Sequence, residues 1–572
     1  MEKFIQVKSL PEATATQLAS VLELPLPLVR LLVMRGYTTR EEIVSFLKPS
    51  FSDVHDPFLM RDMEKAVDRV LGAVDRGELI TLWGDYDVDG VTATALLHRT
   101  LSKLGARLRI HIPHRKKEGY GLSEGGIVQT SEEGSSLIVT TDCGVTSTKA
   151  AELAAHYGVD LIVTDHHLSS TSLPNAVAIL DPKIEGENYP FRDLAGVGIA
   201  FKLAHALCVK KTLPVEWLKD QLDLVALGTI ADLVPLVGEN RVFSRIGLKK
   251  LNRTKNVGLK ALIEVSGLSD KLISTYAVLF QLGPRLNAAG RMAEGRSAVE
   301  MLISEDETEA AEFSRRLDGF NMERRAVEDS ILSDAVWMVE EAGLGKEPIL
   351  VLAKDGWHPG VIGICASRIV EKYWRPAVLV ALDGEEGKGS ARSIPSFHIY
   401  DALSQCGDYL IDFGGHACAA GLRIERGNVD RFRERMKEVA SATLTEEDYI
   451  RKTIVDLELS FSEIDEKFSK LLRLFAPFGP CNPVPLFLTR NIEAVGTPKI
   501  VGGNHLKVAL RHDGKVLSAI GFSQGEFLPQ IEIALPNLAI VYSVGEDEFA
   551  GVRRLVLNVK RMWQSENRGD PI

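Results

Sequence analysis

The densest chemistry in the chain is the stretch GDYDVDG at residues 84–90, which sets Asp85, Asp87 and Asp89 at alternate positions directly after the apolar run ELITLW. Carboxylates held this close repel one another, so ionising all of them needs a cation in their midst. Two further apolar runs end in the same way. SLIVTT leads into Asp142-Cys143-Gly144, and VDLIVT leads into Asp165-His166-His167. A further acid, Asp232, follows the helical run LKDQLDLVALGTIA. Carboxylate oxygens with an imidazole suit manganese or magnesium better than zinc, which takes more nitrogen or sulfur. Two such ions about 3.5–4 Å apart can clamp the attacking hydroxide and the leaving oxygen of a phosphoryl displacement. One carboxylate then has to bridge them, and Asp142, at the end of the central run, is the natural bridge.

Each residue also has a plainer reading. A single Asp after a strand serves as a turn or helix cap, and Asp89 could cap the helix that follows it. A calcium-binding loop begins as Asp85, Asp87, Asp89 and Gly90 do, but Leu96 stands where its closing glutamate belongs. Capping does not explain three successive strand ends that all deliver Asp or Asp-His-His. Clustered ionisable groups of this kind mark active sites.

The elements that must position these groups follow from the hydrophobic pattern. Between about residues 65 and 235, short unbroken apolar runs (ELITLW, SLIVTT, VDLIVT, AVAIL) alternate with helical patterns near 89–104 and 147–157. That alternation predicts a parallel sheet covered on both faces. Ligands of such sheets bind where the strands finish, so the acidic strand ends converge on one crevice. Gly84, Gly90 and Gly144 are expected to let the backbone turn beside it.

The rest of the chain divides into recognisable stretches. Residues 1–60 read as a helical region, with Thr38 or Thr39 followed by Glu41 and Glu42 as a capped helix start. The first α/β lobe spans 61–240, a helical connector 241–345, and a second α/β lobe 346–445. Short strands with turn signals at VGGN, HDGK and GEDEFAG over 450–564 predict a small β-barrel of the oligonucleotide-binding kind. With 572 residues, roughly three or four domains are expected.

Composition excludes more than it selects. The MEKFIQVKSL start lacks a signal-peptide core, and no apolar run reaches the length of about 18 residues that a membrane span needs. The expected setting is cytoplasmic. Cysteines at 143, 208, 365, 406, 418 and 481 form no CxxC pair, which argues against a disulfide framework or zinc ribbon. A net charge of -11 does not advertise nucleic-acid binding, although basic residues gathered on one face can still provide it.

The segments GDYDVDG, TTDCG, TDHH and ADLVPL resemble the DHH phosphoesterase superfamily in order and spacing. GPRLNAAGRM (283–292), HPGVIGICASRI (358–369), GSARS (389–393), GGHACAAGL (414–422) and PFGPCNPVP (477–485) extend the likeness to the RecJ family over nearly the whole chain. Ala391 and Cys481 stand where that family commonly has Gly; the first bears on close packing and the second on the turn at 479–482. The resemblance implies that Asp85, Asp87, Asp89, Asp142, His166 and Asp232 form a two-metal centre for Mn2+ or Mg2+, with His167 on the scissile phosphate. It implies a bacterial exonuclease that degrades single-stranded DNA from the 5′ end to mononucleotides, in DNA repair and recombination. Single-strand-binding protein and a repair helicase are the implied partners.

Candidate strand-holding residues complete the expectation. Arg115, in a basic run with Lys116 and Lys117, would touch phosphate, and Tyr120 would stack on a base. Ser390 and Arg392, two residues apart and so on one face of a strand, suit a terminal phosphate. Gly414, Gly415 and His416 follow what reads as a helical run and are expected to approach the same phosphate. Arg285, Asn287 and Arg291 lie between the lobes, either on DNA or as bridges. Two other functions compete. One is a DHH-type phosphodiesterase for short oligoribonucleotides or cyclic dinucleotides, which would not need a C-terminal β domain. The other is a non-catalytic DNA-binding scaffold, which would have lost metal ligands.

Overall fold

The structure, a computed structural model, describes residues 5–8, 12–114, 118–119, 121–169, 172–292, 295–533, 537–549 and 552–564. The chain forms two units, one of residues 57–232 and 250–451, the other of 1–56, 233–249 and 452–572. Arg115, Lys116, Lys117 and Tyr120 lie outside the described residues.

In the first unit, the apolar runs form a five-stranded sheet in the order Arg107–His111, Leu79–Gly84, Ser135–Thr141, Asp160–Thr164 and Ala178–Leu180. Every pairing is parallel. Ile80, Leu82, Trp83, Leu137, Ile138, Val139, Ile162 and Val163 are all buried, as expected of strands covered on both faces. The winding reverses between Leu79–Gly84 and Ser135–Thr141, so the crevice opens at the carboxyl ends of these two strands. Asp85 and Asp142 are the residues that follow them.

A helical segment follows, including Gly283–Met292, Arg296–Ile303 and the 35-residue helix Glu307–Glu341, which Asp306 caps by accepting the Thr308 and Glu309 N–H groups. The second lobe carries a mixed sheet ordered Leu410–Gly415, Ala419–Glu425, Glu386–Arg392, Ala377–Asp383 and Leu350–Asp355. Only the last two strands pair in parallel. Its core joins Ile331, Ala335 and Val339 of the long helix to Ile362, Cys365, Ala366 and Ile369 of the helix Ile362–Tyr373. The run HIYDALSQCGDYLIDF, expected as one helix, holds only the short helix Ile399–Ser404, and its end belongs to the edge strand Leu410–Gly415. Pairing with Ala419–Glu425 overrides the local pattern there.

The second unit contains a closed five-stranded barrel. Phe487–Val501, His505–His512, Lys515–Gly521, Val552–Gln564 and Leu538–Phe549 follow one another around it, and the last pairs back onto the first. One pairing, Lys515–Gly521 with Val552–Gln564, is parallel, as in oligonucleotide-binding barrels. The N-terminal helices pack a small cluster of their own around Ala15, Val29 and Val33, but they also join a larger core. Leu28, Leu31, Ile43 and Phe46 share one cluster with Phe461, Phe468, Phe475 and Phe487. Buried Arg241 donates to the carbonyls of Phe46, Leu474, Phe475 and Ala476, which leaves none of these oxygens orphaned. Thr39 and Glu42 form a reciprocal capping box at the helix Arg40–Leu47. Cys481, in the place where glycine is common, has φ +58°, the left-handed region that favours glycine.

Candidate metal centre and phosphate face

The three strand ends and Asp232 meet in one crevice. His166 Nε2 lies 3.1 Å from Asp142 Oδ1, 3.6 Å from Asp232 Oδ2 and 3.9 Å from Asp89 Oδ2. Three sets of donor atoms, each within 4.8 Å of one another, can hold a cation: Asp85, Asp87 and Asp142; Asp89, His166 and Asp232; and Asp142, His166 and His167. Asp142 is the member that joins the Asp85–Asp87 pair to the histidines.

The backbone holds these side chains in place. Asp89 accepts the Gly196 and Val197 N–H groups at 2.6 and 2.9 Å, so the N-terminus of the helix Gly196–Lys210 grips it. Asp87, not Asp89, is the cap of the helix Val88–Lys103, accepting from Asp89 and Gly90 N–H. Asp142 itself has φ +64°, a strained conformation for a residue with a side chain. Gly144, at φ +114°, turns the chain next to it as expected, but Gly84 and Gly90 serve close approach instead. A Cβ on Gly90 would lie 2.6 Å from the Asp85 carbonyl, and one on Gly84 would lie 2.0 Å from Thr94 Oγ1. Gly196 is tight for the same reason, its absent Cβ falling 2.6 Å from Asp142 Oδ1.

Electrostatics point the same way. Burial, then the nearby Asp87 charge, raises Asp89 to about 7. Burial, then Asp89 and Asp87, raises Asp232 to about 9, and the same causes push Asp142 well above the usual carboxylate range. Burial, then His167 and Lys183, lowers His166 to about 3, so its imidazole is neutral. Acids that resist ionisation beside a neutral imidazole whose buried Nε2 has no hydrogen-bond partner among the described residues are the donor set a divalent cation relieves. The residues therefore fit two oxygen-preferring ions.

Asp165 plays a different part, one the sequence pattern did not assign. Its carboxylate accepts from the N–H groups of Val145, His166 and His167 and from His167 Nδ1 at 2.7 Å. Burial opposes the charged form of His167, but the Asp165 hydrogen bond and charge outweigh it and raise the imidazole. Asp181 and Lys183, after the strand Ala178–Leu180, also escape the sequence pattern. Burial raises Asp181 to about 7, and Lys183 acts electrostatically on His166 and Asp232. The one signal was a further strand ending in Asp.

In the second lobe, Arg392 Nη1 donates to Ser390 Oγ at 3.1 Å, so the expected pair does share a face. Ser390 lies opposite Gly421, and Gly421 opposite Gly414, across adjacent strands. Gly415 has φ +145°, and His416 N–H bonds to the Ala419 carbonyl at a tight turn. The interlobe candidates all have protein partners. Arg285 pairs with Asp318 at 2.9 Å, Asn287 Oδ1 accepts the Val88 N–H, and Arg291 donates to the Gly360 carbonyl.

Comparison with known proteins identifies the group. The single-stranded-DNA-specific exonuclease RecJ of Escherichia coli (strain K12) is 34% identical over 95% of this chain and 96% of its own length. The chain belongs to the RecJ family. The RecJ of Bacillus subtilis (strain 168) is 43% identical over 94% of the chain, which spans 68% of that relative. The DHH family N-terminal domain matches residues 79–229, the DHHA1 domain 346–442 and the RecJ OB domain 455–561. Among solved structures, RecJ of Thermus thermophilus in complex with Mn2+ superposes with a TM-score of 0.84 at 29% identity, covering 99% of this chain and 80% of that one. The same protein has been solved with Mg2+, at a TM-score of 0.78. Membership makes the chain a nuclease. Among the described residues no helix is long and apolar enough to cross a membrane.

Proposed function

We propose that this enzyme degrades single-stranded DNA from the 5′ end to mononucleotides, hydrolysing each phosphodiester bond at two divalent ions, Mn2+ or Mg2+. The observation that carries the reading is Asp142, whose carboxylate belongs to both the Asp85–Asp87 set and the His166–His167 set. Asp85 and Asp87 would hold one ion and His166, Asp89 and Asp232 the other, with Asp142 placed to serve both. When bound, such a pair activates water and offsets charge on the attacking and leaving oxygens. Asp165 fixes His167 through Nδ1, so the ring presents Nε2 to the scissile phosphate and donates to it. Ser390 and Arg392 hold the terminal 5′ phosphate, Arg392 as a charged donor, with the Gly414–Gly415–His416 turn beside them. Arg115 and Tyr120 belong to the same proposal as strand contacts. A protein of this kind works in the bacterial cytoplasm in repair and recombination, beside single-strand-binding protein and a helicase.

The test is digestion of defined oligonucleotides in Mn2+ with either end blocked. Mononucleotide release that stops when the 5′ end is blocked, and is far slower on a blunt duplex, is expected. Equal rates on single strand and duplex, or preference for a dinucleotide over a long strand, would overturn the reading.

A further inference from the structure

The helix Gly283–Met292 touches both faces just described. On the metal side, Asn287 Oδ1 accepts the Val88 N–H at 3.0 Å, at the start of the helix that carries Asp89. Gly290 sits so close to Tyr86, between Asp85 and Asp87, that a Cβ there would lie 2.6 Å from the Tyr86 carbonyl. On the other side, Arg291 Nη1 donates to the Gly360 carbonyl at 3.0 Å, and a Cβ on Gly360 would lie 3.0 Å from the Arg291 carbonyl. Gly360 leads into the helix Ile362–Tyr373, whose Gly363 rests on the phosphate pair. A Cβ on Gly363 would fall 2.9 Å from Ser390 Oγ and 3.1 Å from Arg392 Nη2. From Tyr86 to Arg392 the junctions between elements are too tight to admit a methyl group without movement.

A second tie runs parallel to the first. Arg285 Nε on the same helix pairs with Asp318 on the long helix Glu307–Glu341 at 2.9 Å. Further along, the long helix reaches the second lobe through Glu328. This carboxylate, 3% exposed, accepts from Arg324 Nη1 at 2.6 Å and from Arg368 Nε, on Ile362–Tyr373, at 2.5 Å. A buried carboxylate held by two guanidinium groups is costly to disturb and fixes the helices that supply them.

We infer that the helix Gly283–Met292, with its ties through Arg291 and Glu328, is a strut that sets the spacing between metal centre and phosphate grip, and so the number of nucleotides released per cut. The inference rests on the two-metal, 5′-phosphate reading above. Arg291 and Glu328 are positioning residues: they act through Gly360 and through Arg368, not on the reacting atoms. Close-packed interiors pass a displacement on instead of absorbing it. A reacting group misplaced by about 1 Å can lose roughly 10²-fold in rate. A loosened strut therefore lets the terminal phosphate seat out of register with the ions, and cleavage falls at the next bond along.

The experiment follows product length from a 5′-labelled single strand in Mn2+, using the whole chain. The unaltered enzyme is expected to release labelled mononucleotide alone. Arg291→Ala and Glu328→Gln are expected to raise labelled dinucleotide and longer products at least severalfold, with kcat falling more than KM rises and Mn2+ stoichiometry unchanged. Should Glu328→Gln fail to fold, Arg368→Ala removes the same tie from a side chain that is 56% exposed. Mononucleotide alone from all variants, whatever their rates, would overturn the strut. A raised KM with unaltered product length would show instead that Arg291 contacts DNA. No labelled release by the unaltered chain would sink the exonuclease reading, and the strut with it.

Discussion

The first and second lobes present their functional groups in opposite ways. In the first, Asp85, Asp89, Asp142 and His166 are all buried, and backbone amides or missing Cβ atoms dictate where the three aspartates sit. In the second, Ser390 and Arg392 are half-buried on a sheet face where Gly414 and Gly421 leave open space. Two cations need fixed donors, because coordination geometry tolerates little error. A phosphate on a moving strand needs a grip that can be entered and left. Rigid chemistry in one lobe and an accessible hold in the other would be the division of labour of the proposed exonuclease.

Substitutions can break that contrast in graded steps. Asp142→Ala, at the shared carboxylate, should reduce hydrolysis by roughly 10³-fold or more while DNA binding in a gel-shift assay largely survives. Arg392→Ala removes a charged hydrogen bond of about 1.5–3 kcal/mol and should raise KM by roughly 10- to 100-fold for 5′-phosphorylated strands. A 5′-hydroxyl strand should be affected much less, and Mn2+ affinity by calorimetry should not change. Equal loss on both strands would separate Arg392 from the terminal phosphate.

Two glycines sharpen the comparison. Gly196→Ala forces a Cβ onto Asp142 and should cost about 1–3 kcal/mol in thermal unfolding and weaken Mn2+ binding. Gly414→Ala meets nothing within 4 Å and should stay within about 0.5 kcal/mol of the parent. Comparable destabilisation by the two would erase the distinction between the lobes.

The pH response probes the same contrast without a substitution. Without metal, the folded-state values of Asp89 and Asp232 are raised from 3.8 to about 7 and about 9, so the fold binds protons that the unfolded chain releases. The stability they contribute is complete below 3.8 and is lost as pH climbs through about 7 and then about 9. Melting temperatures of the metal-free protein should therefore fall across that window. Saturating Mn2+, which requires ionised ligands, should flatten or reverse the slope.

The sequence displayed the metal centre more openly than the phosphate face, and for a physical reason. Asp142 directly follows SLIVTT, Asp165 follows VDLIVT, and Asp85, Asp87 and Asp89 come within a few residues of ELITLW, so local pattern and candidate site coincide. Asp232 offered only its place after a helix. The edge strand Leu410–Gly415 depends on its partner Ala419–Glu425, a relation that local periodicity in DYLIDF did not carry. The burial of Leu28 and Phe46 against Phe468 and Phe475 joins residues more than 400 positions apart, and no local pattern encodes it. The motif gave Asp165 no role of its own, and its hydrogen bonds to Val145 and His167 make it a tether.

The bridging role of Asp142 is open to a direct measurement: anomalous scattering from a crystal grown in Mn2+. Two peaks about 3.5–4 Å apart, one beside Asp85 and Asp87, the other beside His166 and Asp232, with Asp142 in contact with both, are expected. A single peak, or two that do not share the Asp142 carboxylate, would contradict the two-ion centre.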